Sequence, residues 1–245
     1  MESKAIRKVY IVTGATRGLG RALAEAWTAS DTLLVLVGRK GLPEVVNAIK
    51  AEGGFATGIN YDLTKPDGLE ELMNNIFKLL SWEQLAAVAL VNNAGVVEPV
   101  GFIGTLPDQE AIDHFHVNAM APIILSNAFI KGSKNFKGRR VIVNISSGAG
   151  KRPIEGWGLY CASKAAVEMF TQCVLKEQST EGGVDIFAID PGVLDTKMQS
   201  EIRKKSKSDF PGVERFIDLY KNGMLKEPKI VAAEIVQYIG EKLGS

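Results

Sequence analysis

Short apolar runs alternate with longer amphipathic segments along most of the chain. The short runs are rich in β-branched residues and almost continuously apolar, which is the pattern of strands covered on both faces. They predict six strands, at 8–13, 33–38, 55–60, 86–93, 139–146 and 184–190. In the longer segments apolar residues recur at helical spacing, which predicts helices at 18–30, 42–52, 66–80, 108–131, 158–180 and about 228–243.

Strands that alternate with helices are typical of a parallel sheet with a helical layer on each face. We therefore expect an α/β protein with one Rossmann-like, doubly wound domain over residues 1–245, which binds its ligands at the carboxyl ends of six parallel strands. The pattern breaks after the sixth strand, where two Pro-Gly pairs interrupt residues 191–227. A long excursion from a compact sheet is often a lid, so we expect this segment to cover a substrate.

Composition narrows the class of protein. The formal net charge of +1 gives no indication of binding to nucleic acid or to a membrane, and the basic run RKKSK at 203–207 is interpreted as a solvated helix face. The first residues lack the apolar core of a signal peptide, and no apolar run reaches the length of a membrane helix. Cys161 and Cys173 are predicted to lie about 18 Å apart on one helix, too far for a disulfide. Reduced cysteines favour a cytoplasmic location.

The loop TGATRGLG at 13–20 joins the first predicted strand to the first predicted helix. Gly14 allows a sharp turn, and the N–H groups at a helix start suit a pyrophosphate. Gly18 and Gly20 allow a close approach, either of the backbone to a cofactor or of the helix to a strand. The glycine spacing differs from the familiar dinucleotide fingerprint, and glycine-rich turns without a ligand are common, so the loop alone does not decide between these alternatives.

The end of the second strand favours NADP over NAD. An acidic residue at this position binds the adenosine ribose of NAD, but the chain has Gly38 followed by Arg39. A guanidinium suits a phosphate, and Arg17 in the glycine-rich loop supplies a second cation. The alternative is that Arg39 and Lys40 only decorate a turn.

The stretch YCASK places Tyr160 and Lys164 on one face of a predicted helix. A free tyrosine has a pKa of about 10, and lowering it to about 7 requires roughly 4 kcal/mol of phenolate stabilisation. One cation about 4 Å away supplies roughly that much at an effective dielectric constant of 20. The spacing therefore predicts an activated tyrosine, although most such pairs are exposed helix decoration. Ser146 or Ser147, at the end of the fifth strand, is positioned to donate to a carbonyl, and strand alternation does not separate the two.

Together these motifs resemble the short-chain dehydrogenase/reductase family, over about residues 8–242. The resemblance rests on TGATRGLG, NNAG at 92–95, a serine, YCASK and Pro191-Gly192, in that order. It implies that the family's catalytic tetrad corresponds to Asn118, Ser147, Tyr160 and Lys164, and thus favours Ser147. It further implies NADP(H) as the cofactor, bound by Gly14, Thr16, Arg17, Gly18, Leu19, Gly20, Gly38, Arg39, Asp62, Leu63, Asn93, Ala94, Gly95, Tyr160, Lys164, Pro191, Gly192, Val193 and Thr196.

The resemblance also implies a role for each member of the tetrad. Tyr160 protonates the substrate carbonyl oxygen as hydride leaves the nicotinamide, and Ser147 positions and polarises that carbonyl. Lys164 holds the nicotinamide ribose and lowers the pKa of the tyrosine. Asn118 helps to hold a water that links the lysine to solvent. His114 and His116 have no partner at metal-ligand spacing, so we expect neither a metal nor a catalytic role for them.

A narrower likeness is to the sepiapterin reductase and benzil reductase group, through Gly156-Trp157, Cys161 and DTKMQ at 195–199. It implies a small dicarbonyl substrate, a 1,2-diketone or a pterin side chain, contacted by Ser147, Trp157, Tyr160 and Met198. Phe210, Phe216 and Tyr220 are further candidates for the apolar wall of the lid, although ordinary packing explains each of them singly. Members of the family usually continue into a seventh strand, which carries a pterin-anchoring aspartate in sepiapterin reductase. The sequence ends at GEKLGS, which shifts our expectation from a pterin toward simpler dicarbonyls.

We therefore expect an NADPH-dependent carbonyl reductase that assembles as a homodimer or homotetramer. Two alternatives remain open at this point. One is an NADP-dependent alcohol dehydrogenase of other specificity, which works in the oxidative direction. The other is a catalytically silent NADP-binding regulator, against which the complete tetrad argues.

Overall fold

A computed structural model of the protein describes residues 5–65, 67–179 and 182–243. Its strands form one parallel sheet in the order β3-β2-β1-β4-β5-β6. The strands are β1 (Lys8–Thr13), β2 (Thr32–Gly38), β3 (Phe55–Asn60), β4 (Ala87–Asn92), β5 (Arg139–Ile145) and β6 (Asp185–Ile189). All six predicted strands are confirmed, with bounds that differ by about one residue. The chain leaves β1 for β2 on one side and returns to β4 on the other, so the crevice between β1 and β4 is the expected ligand site.

Helices cover both faces of the sheet, as the alternating pattern predicts. They are α1 (Gly18–Ala26), α2 (Leu42–Ala51), α3 (Leu69–Lys78), α4 (Asp108–Phe115), α5 (Ala121–Gly132), α6 (Gly158–Glu177), α7 (Lys197–Ile202), α8 (Val213–Lys221) and α9 (Pro228–Leu243). Helix α1 ends four residues before its predicted end at 30, and α3 begins after Gly68, which has a left-handed backbone. Residue 66, the predicted start of α3, and residue 180, the predicted end of α6, lie outside the described residues.

The predicted helix at 108–131 is interrupted, contrary to our expectation. A π-helical turn (His116–Met120) separates α4 from α5, and the Ala121 N–H donates to the His116 carbonyl five residues earlier. Pro122 explains the interruption, because a proline has no N–H for the carbonyl four residues before it, here that of Asn118. The proline thus leaves the Asn118 carbonyl without its usual helical donor.

Two apolar clusters, one on each face of the sheet, form the core. One contains side chains of α1, α2 and α9, such as Leu23, Val45 and Ile235. The other contains side chains of α3 and α5, such as Met73 and Phe129. Because both faces of the sheet are buried, we expect its functional polar side chains to lie at the strand ends, where the loops meet.

The 191–227 segment leaves the sheet and returns to nearly the same point. At its base the Asp195 N–H donates to the Lys226 carbonyl at 2.9 Å, and the Lys226 N–H donates to the Val193 carbonyl at 3.1 Å. The basic run at 203–207 follows α7 rather than forming a helix face, so that interpretation is wrong. Lys205 pairs with Glu98 at 2.7 Å, which ties the segment to the loop after β4.

Within the ranges 5–65, 67–179 and 182–243, no helix combines the length and apolar character needed to cross a membrane. The same residues contain no group of three or more His, Cys, Asp or Glu side chains arranged to hold a metal ion.

Candidate active site

Hydrogen bonds join the glycine-rich loop after β1 to the turn after β4. The Thr13 hydroxyl accepts from the backbone N–H groups of Asn93 and Ala94, each at 3.1 Å. The Asn93 side-chain amide donates to the carbonyls of Thr13 at 3.0 Å and Gly14 at 3.2 Å. Gly14 has a φ of +66°, which permits the sharp turn out of β1. These contacts hold both loops in one arrangement at the β1–β4 crevice.

Gly20 serves the packing of α1 against this turn. A Cβ atom at residue 20 would overlap the Asn93 amide nitrogen and the Gly14 carbonyl oxygen. Of the two alternatives left open for this glycine, the structure shows the approach of the helix to its neighbouring turn.

The start of α1 is open to an anion. Arg17 occupies the capping position, its side chain makes no capping hydrogen bond, and the first turn contains no acidic residue. A helix start carries free N–H groups and a partial positive charge, both of which favour a phosphate. A Cβ atom at Gly18 would lie 3.3 Å from the Thr196 methyl group, so the 191–227 segment passes close to this loop.

Two charged side chains meet beyond the ends of β2 and β3. The Arg39 guanidinium lies 4.0 Å from the Asp62 carboxylate, and their side chains are 61% and 39% exposed. Asp62 also accepts from the Thr64 N–H at 3.2 Å, and Leu63 beside it is buried. An exposed pair of this kind contributes little to stability, so the guanidinium remains available for another anion. Gly38 is closely packed, because a Cβ atom there would lie 3.1 Å from the Thr16 methyl group.

Tyr160, Lys164 and Ser147 lie together at the carboxyl end of β5. Helix α6 places Tyr160 and Lys164 on one face, 8% and 5% exposed, with the Lys164 ammonium 5.8 Å from the Tyr160 ring centroid. The ammonium donates to the Ile145 carbonyl at 2.9 Å. Ser147 lies close enough to Tyr160 to act on the pKa of its phenol, whereas the Ser146 hydroxyl is buried without a hydrogen-bond partner among the described residues. Geometry and resemblance thus agree on Ser147.

The pKa of Tyr160 is shifted in the direction opposite to our expectation. Burial is the main cause that raises it to about 12, the Asp190 carboxylate acts in the same direction, and Ser147 acts in the lowering direction. Burial lowers the pKa of Lys164 to about 8, while Glu168 acts to raise it. The prediction of a lowered tyrosine pKa is therefore wrong for the protein alone, because desolvation of the phenolate is the largest influence on this group. At neutral pH the phenol keeps its proton, as a general acid must.

The Asn118 side chain lies in the π-helical turn and clamps the loop after β4. Its amide oxygen accepts from the Val96 N–H at 2.8 Å, and its amide nitrogen donates to the Val96 carbonyl at 2.8 Å. A Cβ atom at Gly95 would lie 3.5 Å from the Asn118 oxygen and 3.7 Å from the Lys164 nitrogen. All four residues of the predicted tetrad are thus brought to one end of the sheet.

Trp157 anchors an aromatic cluster between α6 and the 191–227 segment. Its ring stacks on Phe210, with centroids 4.8 Å apart and planes at 7°, and meets the Tyr160 ring edge-on at 5.2 Å. Phe216 packs against the same indole, and Met198 contacts the cluster. Phe210 and Phe216 are buried and pack against Trp157, so they hold the indole in place. Tyr220 is 52% exposed and lies outside this buried cluster.

The segment after β6 brings the remaining predicted cofactor residues to this edge of the sheet. Gly192 turns the chain with a φ of +76°, and Val193 packs against the aromatic cluster. The Asp190 carboxylate accepts from the Gly192 N–H at 2.9 Å. Pro191 lies between these two residues.

Sequence reasoning missed two residues that act on the tetrad, Asp190 and His114. Asp190 stands directly before Pro191, just after β6. Its carboxylate acts to raise the pKa of Tyr160, which lies thirty residues earlier in the sequence. His114 was set aside, yet its ring lies 3.0 Å from the Asn118 amide nitrogen. Its position four residues before Asn118, which places it on the same helix face, was the signal available in the sequence.

Comparison with known proteins identifies the family. A model of the short chain dehydrogenase family matches residues 8–207. The chain is 38% identical to a benzil reductase ((S)-benzoin forming) of Bacillus cereus, over 93% of this chain and 92% of that one. It is 31% identical to the sepiapterin reductase of Bos taurus, over 95% and 90% of the two chains. A crystal structure of a metagenomic short-chain oxidoreductase in complex with NADP superposes with a TM-score of 0.73 at 26% identity, covering 94% of this chain and 89% of that one. The chain belongs to the short-chain dehydrogenase family and is an oxidoreductase.

Proposed function

We propose that this protein is an NADPH-dependent carbonyl reductase that acts on a small 1,2-dicarbonyl compound. The observation that carries the proposal is the cluster at the carboxyl end of the sheet, where the half-buried Ser147 lies beside the buried Tyr160 and Lys164. A protonated phenol, a hydroxyl donor and a cation are what the reduction of a carbonyl requires from the protein.

The residues at the β1–β4 crevice fit a nicotinamide cofactor. The uncapped start of α1 suits a pyrophosphate. Arg17 and Arg39 offer exposed cations for a 2′-phosphate, and no acidic residue ends β2 to bind a free ribose hydroxyl in its place. The bound cofactor would supply a hydride to the substrate.

The protein supplies the proton and the orientation. Ser147 donates to the carbonyl oxygen and polarises it, and the Tyr160 hydroxyl transfers its proton to the same oxygen as negative charge develops there. Lys164 offsets the charge left on the phenolate. Because burial lowers the pKa of Lys164 to about 8, this ammonium is also a proton source close to neutral pH.

The apolar side chains next to the tetrad support an aromatic substrate. Trp157 stands edge-on to Tyr160, and Met198 packs against its cluster. Burial of one phenyl group against such a wall contributes roughly 2 kcal/mol. The names of the relatives, benzil reductase and sepiapterin reductase, support a carbonyl flanked by a second carbonyl.

The test is the initial rate of NADPH oxidation with benzil, 1-phenyl-1,2-propanedione, sepiapterin and acetophenone at equal concentrations. We expect benzil, which has one phenyl group more than acetophenone, to exceed it by about 30-fold in kcat/KM, which corresponds to about 2 kcal/mol. A faster rate with acetophenone than with every dicarbonyl would remove the substrate class and leave the reductase. A clear preference for sepiapterin would replace the diketone by a pterin. No oxidation with any carbonyl would refute the proposed function.

A further inference from the structure

His114 is buried, with 1% of its surface exposed, and every polar atom of its ring has a partner. Its Nδ1 lies 2.7 Å from the Glu98 carbonyl oxygen. Its Nε2 lies 3.0 Å from the amide nitrogen of Asn118 and 3.2 Å from the Ser163 hydroxyl. The ring therefore connects the loop after β4 with the π-helical turn and α6.

These partners define the tautomer of His114. A carbonyl oxygen only accepts, so Nδ1 carries the proton and donates it to Glu98. The Ser163 hydroxyl donates to the Tyr160 carbonyl at 2.9 Å, which leaves the Asn118 amide as the donor to Nε2. Nε2 is thus the acceptor in a neutral imidazole.

The same contacts determine the orientation of the Asn118 amide. One hydrogen of its nitrogen is directed at the Val96 carbonyl and the other at His114, while its oxygen accepts from the Val96 N–H. A flipped amide would set donor against donor at the Val96 N–H and acceptor against acceptor at the Val96 carbonyl. It would also place its oxygen against the Nε2 lone pair of His114. The orientation shown is the one in which all three contacts are satisfied.

We propose that neutral His114 is a positioning residue for the reductase, because its Nε2 accepts from the Asn118 amide and so holds the Val96 clamp beside Lys164. The link to catalysis rests on the proposed function, through the tetrad, but the hydrogen-bond arrangement does not. The floor of the site at Gly95 lies against both the Asn118 oxygen and the Lys164 nitrogen, so a displaced amide moves the surface next to the catalytic ammonium.

Protonation of His114 opposes this arrangement. An Nε2–H group would face the N–H of Asn118, and a second cation would form in the field of Lys164. Burial is the largest influence and lowers the pKa of His114; the Lys164 charge also lowers it, the backbone of Glu98 and of Leu159 acts in the raising direction, and the net shift is downward. From α6 the Tyr160 ring stands edge-on to the imidazole at 6.1 Å, and the Glu98 carboxylate is paired with Lys205. The neutral form therefore persists to a pH below the ordinary histidine range.

Two substitutions separate the two hydrogen bonds of His114. In His114→Gln a side-chain oxygen can occupy the place of Nε2, which keeps an acceptor for Asn118 and loses the bond to Glu98. In His114→Asn a side-chain nitrogen can occupy the place of Nδ1, which keeps the bond to Glu98 and leaves Asn118 without its acceptor. We expect His114→Gln to keep kcat within about threefold of wild type, and His114→Asn to lose about tenfold, the equivalent of about 1.4 kcal/mol.

The pH profile supplies a readout that a purely structural role would not move. Wild-type kcat should fall on an acid limb below pH 6.5, and His114→Gln should lose that limb. His116→Gln is the matched control, since the His116 ring bonds to the Thr64 carbonyl at 3.0 Å and, within the described residues, makes no hydrogen bond to the Asn118 side chain. This control should keep both the limb and the rate.

NMR of the cofactor-free protein tests the hydrogen bonds without any activity. We expect an Nδ1–H tautomer for His114, slow exchange of the Asn118 side-chain amide protons, and a loss of that protection below pH 6.5. The protection should survive in His114→Gln and disappear in His114→Asn.

An Nε2–H tautomer, equal loss of kcat in the two variants, or an acid limb that persists in His114→Gln would each overturn the inference. If no carbonyl is reduced while the NMR results appear as expected, the proposed function fails and the hydrogen-bond assignment stands.

Discussion

Replacement of Gly20 by alanine tests whether this glycine serves packing or the cofactor. The added Cβ atom would overlap the Asn93 amide nitrogen and the Gly14 carbonyl oxygen and would lie 3.0 Å from the Gly14 carbonyl carbon. Overpacking of a tight contact costs about 1–3 kcal/mol. Displacement of Asn93 would also break its bonds to the Thr13 and Gly14 carbonyls, at about 1 kcal/mol each. We expect a loss of about 3–5 kcal/mol in the free energy of unfolding.

Thermal unfolding measures this loss directly. For a chain of this length each kcal/mol lowers Tm by about 2–4 °C, so Gly20→Ala should lower it by roughly 6–20 °C. Gly95→Ala is the matched control, because its Cβ atom would lie 3.5 Å from the Asn118 oxygen and 3.7 Å from the Lys164 nitrogen, at ordinary contact distances. This variant should unfold within a few degrees of wild type but lose about tenfold in kcat/KM for NADPH, because a methyl group fills the floor between two tetrad residues.

An unchanged Tm for Gly20→Ala would refute the close packing of α1 against the turn after β4, since that packing predicts an overlap of the new methyl group with backbone atoms. A Gly95→Ala variant with wild-type kinetics would refute the assignment of Gly95 to the floor of the site, because that floor would then lie elsewhere.

Four further predictions follow from the site. Tyr160→Phe should lose about 10²- to 10⁴-fold in kcat and still bind NADPH; a variant that keeps more than about a tenth of the wild-type rate would exclude Tyr160 as the acid. Wild-type enzyme should prefer NADPH to NADH by at least about tenfold in kcat/KM, and Arg39→Ala should erode that preference; equal rates with the two cofactors in wild type would contradict the assignment. Because burial lowers the pKa of Lys164 from 10.5 to about 8, the unfolded chain binds more protons between these values and stability rises with pH there. Lys164→Met should therefore abolish activity yet unfold at a higher temperature than wild type at pH 7, with a difference that narrows by pH 10. Glu98→Lys and Lys205→Glu should each speed proteolysis within residues 191–227 severalfold, and the double variant should restore the wild-type rate; no restoration would show that this partly exposed pair does not hold the segment.

The regular elements could be predicted from the sequence because their patterns are local. A strand buried on both faces is apolar throughout, so β1 to β6 are visible as short runs. The order of motifs was equally informative, since the glycine-rich loop, Asn93, Ser147, Tyr160 and Lys164 each follow a strand or lie on the next helix. Parallel strands bring such residues to one edge of the sheet, whatever the loop lengths between them.

The choice between local alternatives needed the tertiary structure. The sequence left Gly20 open between a cofactor and a helix contact, and only the fold shows that Asn93, more than seventy residues away, packs where a Cβ atom of residue 20 would lie. It predicted one helix at 108–131, although Pro122 was visible, because a proline inside a predicted helix does not by itself show whether the helix bends, stops or widens. The sequence likewise did not separate Ser146 from Ser147. Ser147 is the one that acts on Tyr160, and this contact joins two different elements, so local alternation does not reveal it.

The electrostatics of the site depended most on the fold. From the spacing of Tyr160 and Lys164 we expected a cation to lower the tyrosine pKa, and the structure reverses the direction. The reason is that desolvation sums over every element packed around the phenol, and a neighbouring charge such as that of Asp190 arrives from another strand. Local periodicity determines where a side chain stands on its own element, whereas burial and long-range contacts, which only the folded chain creates, determine whether it carries a proton.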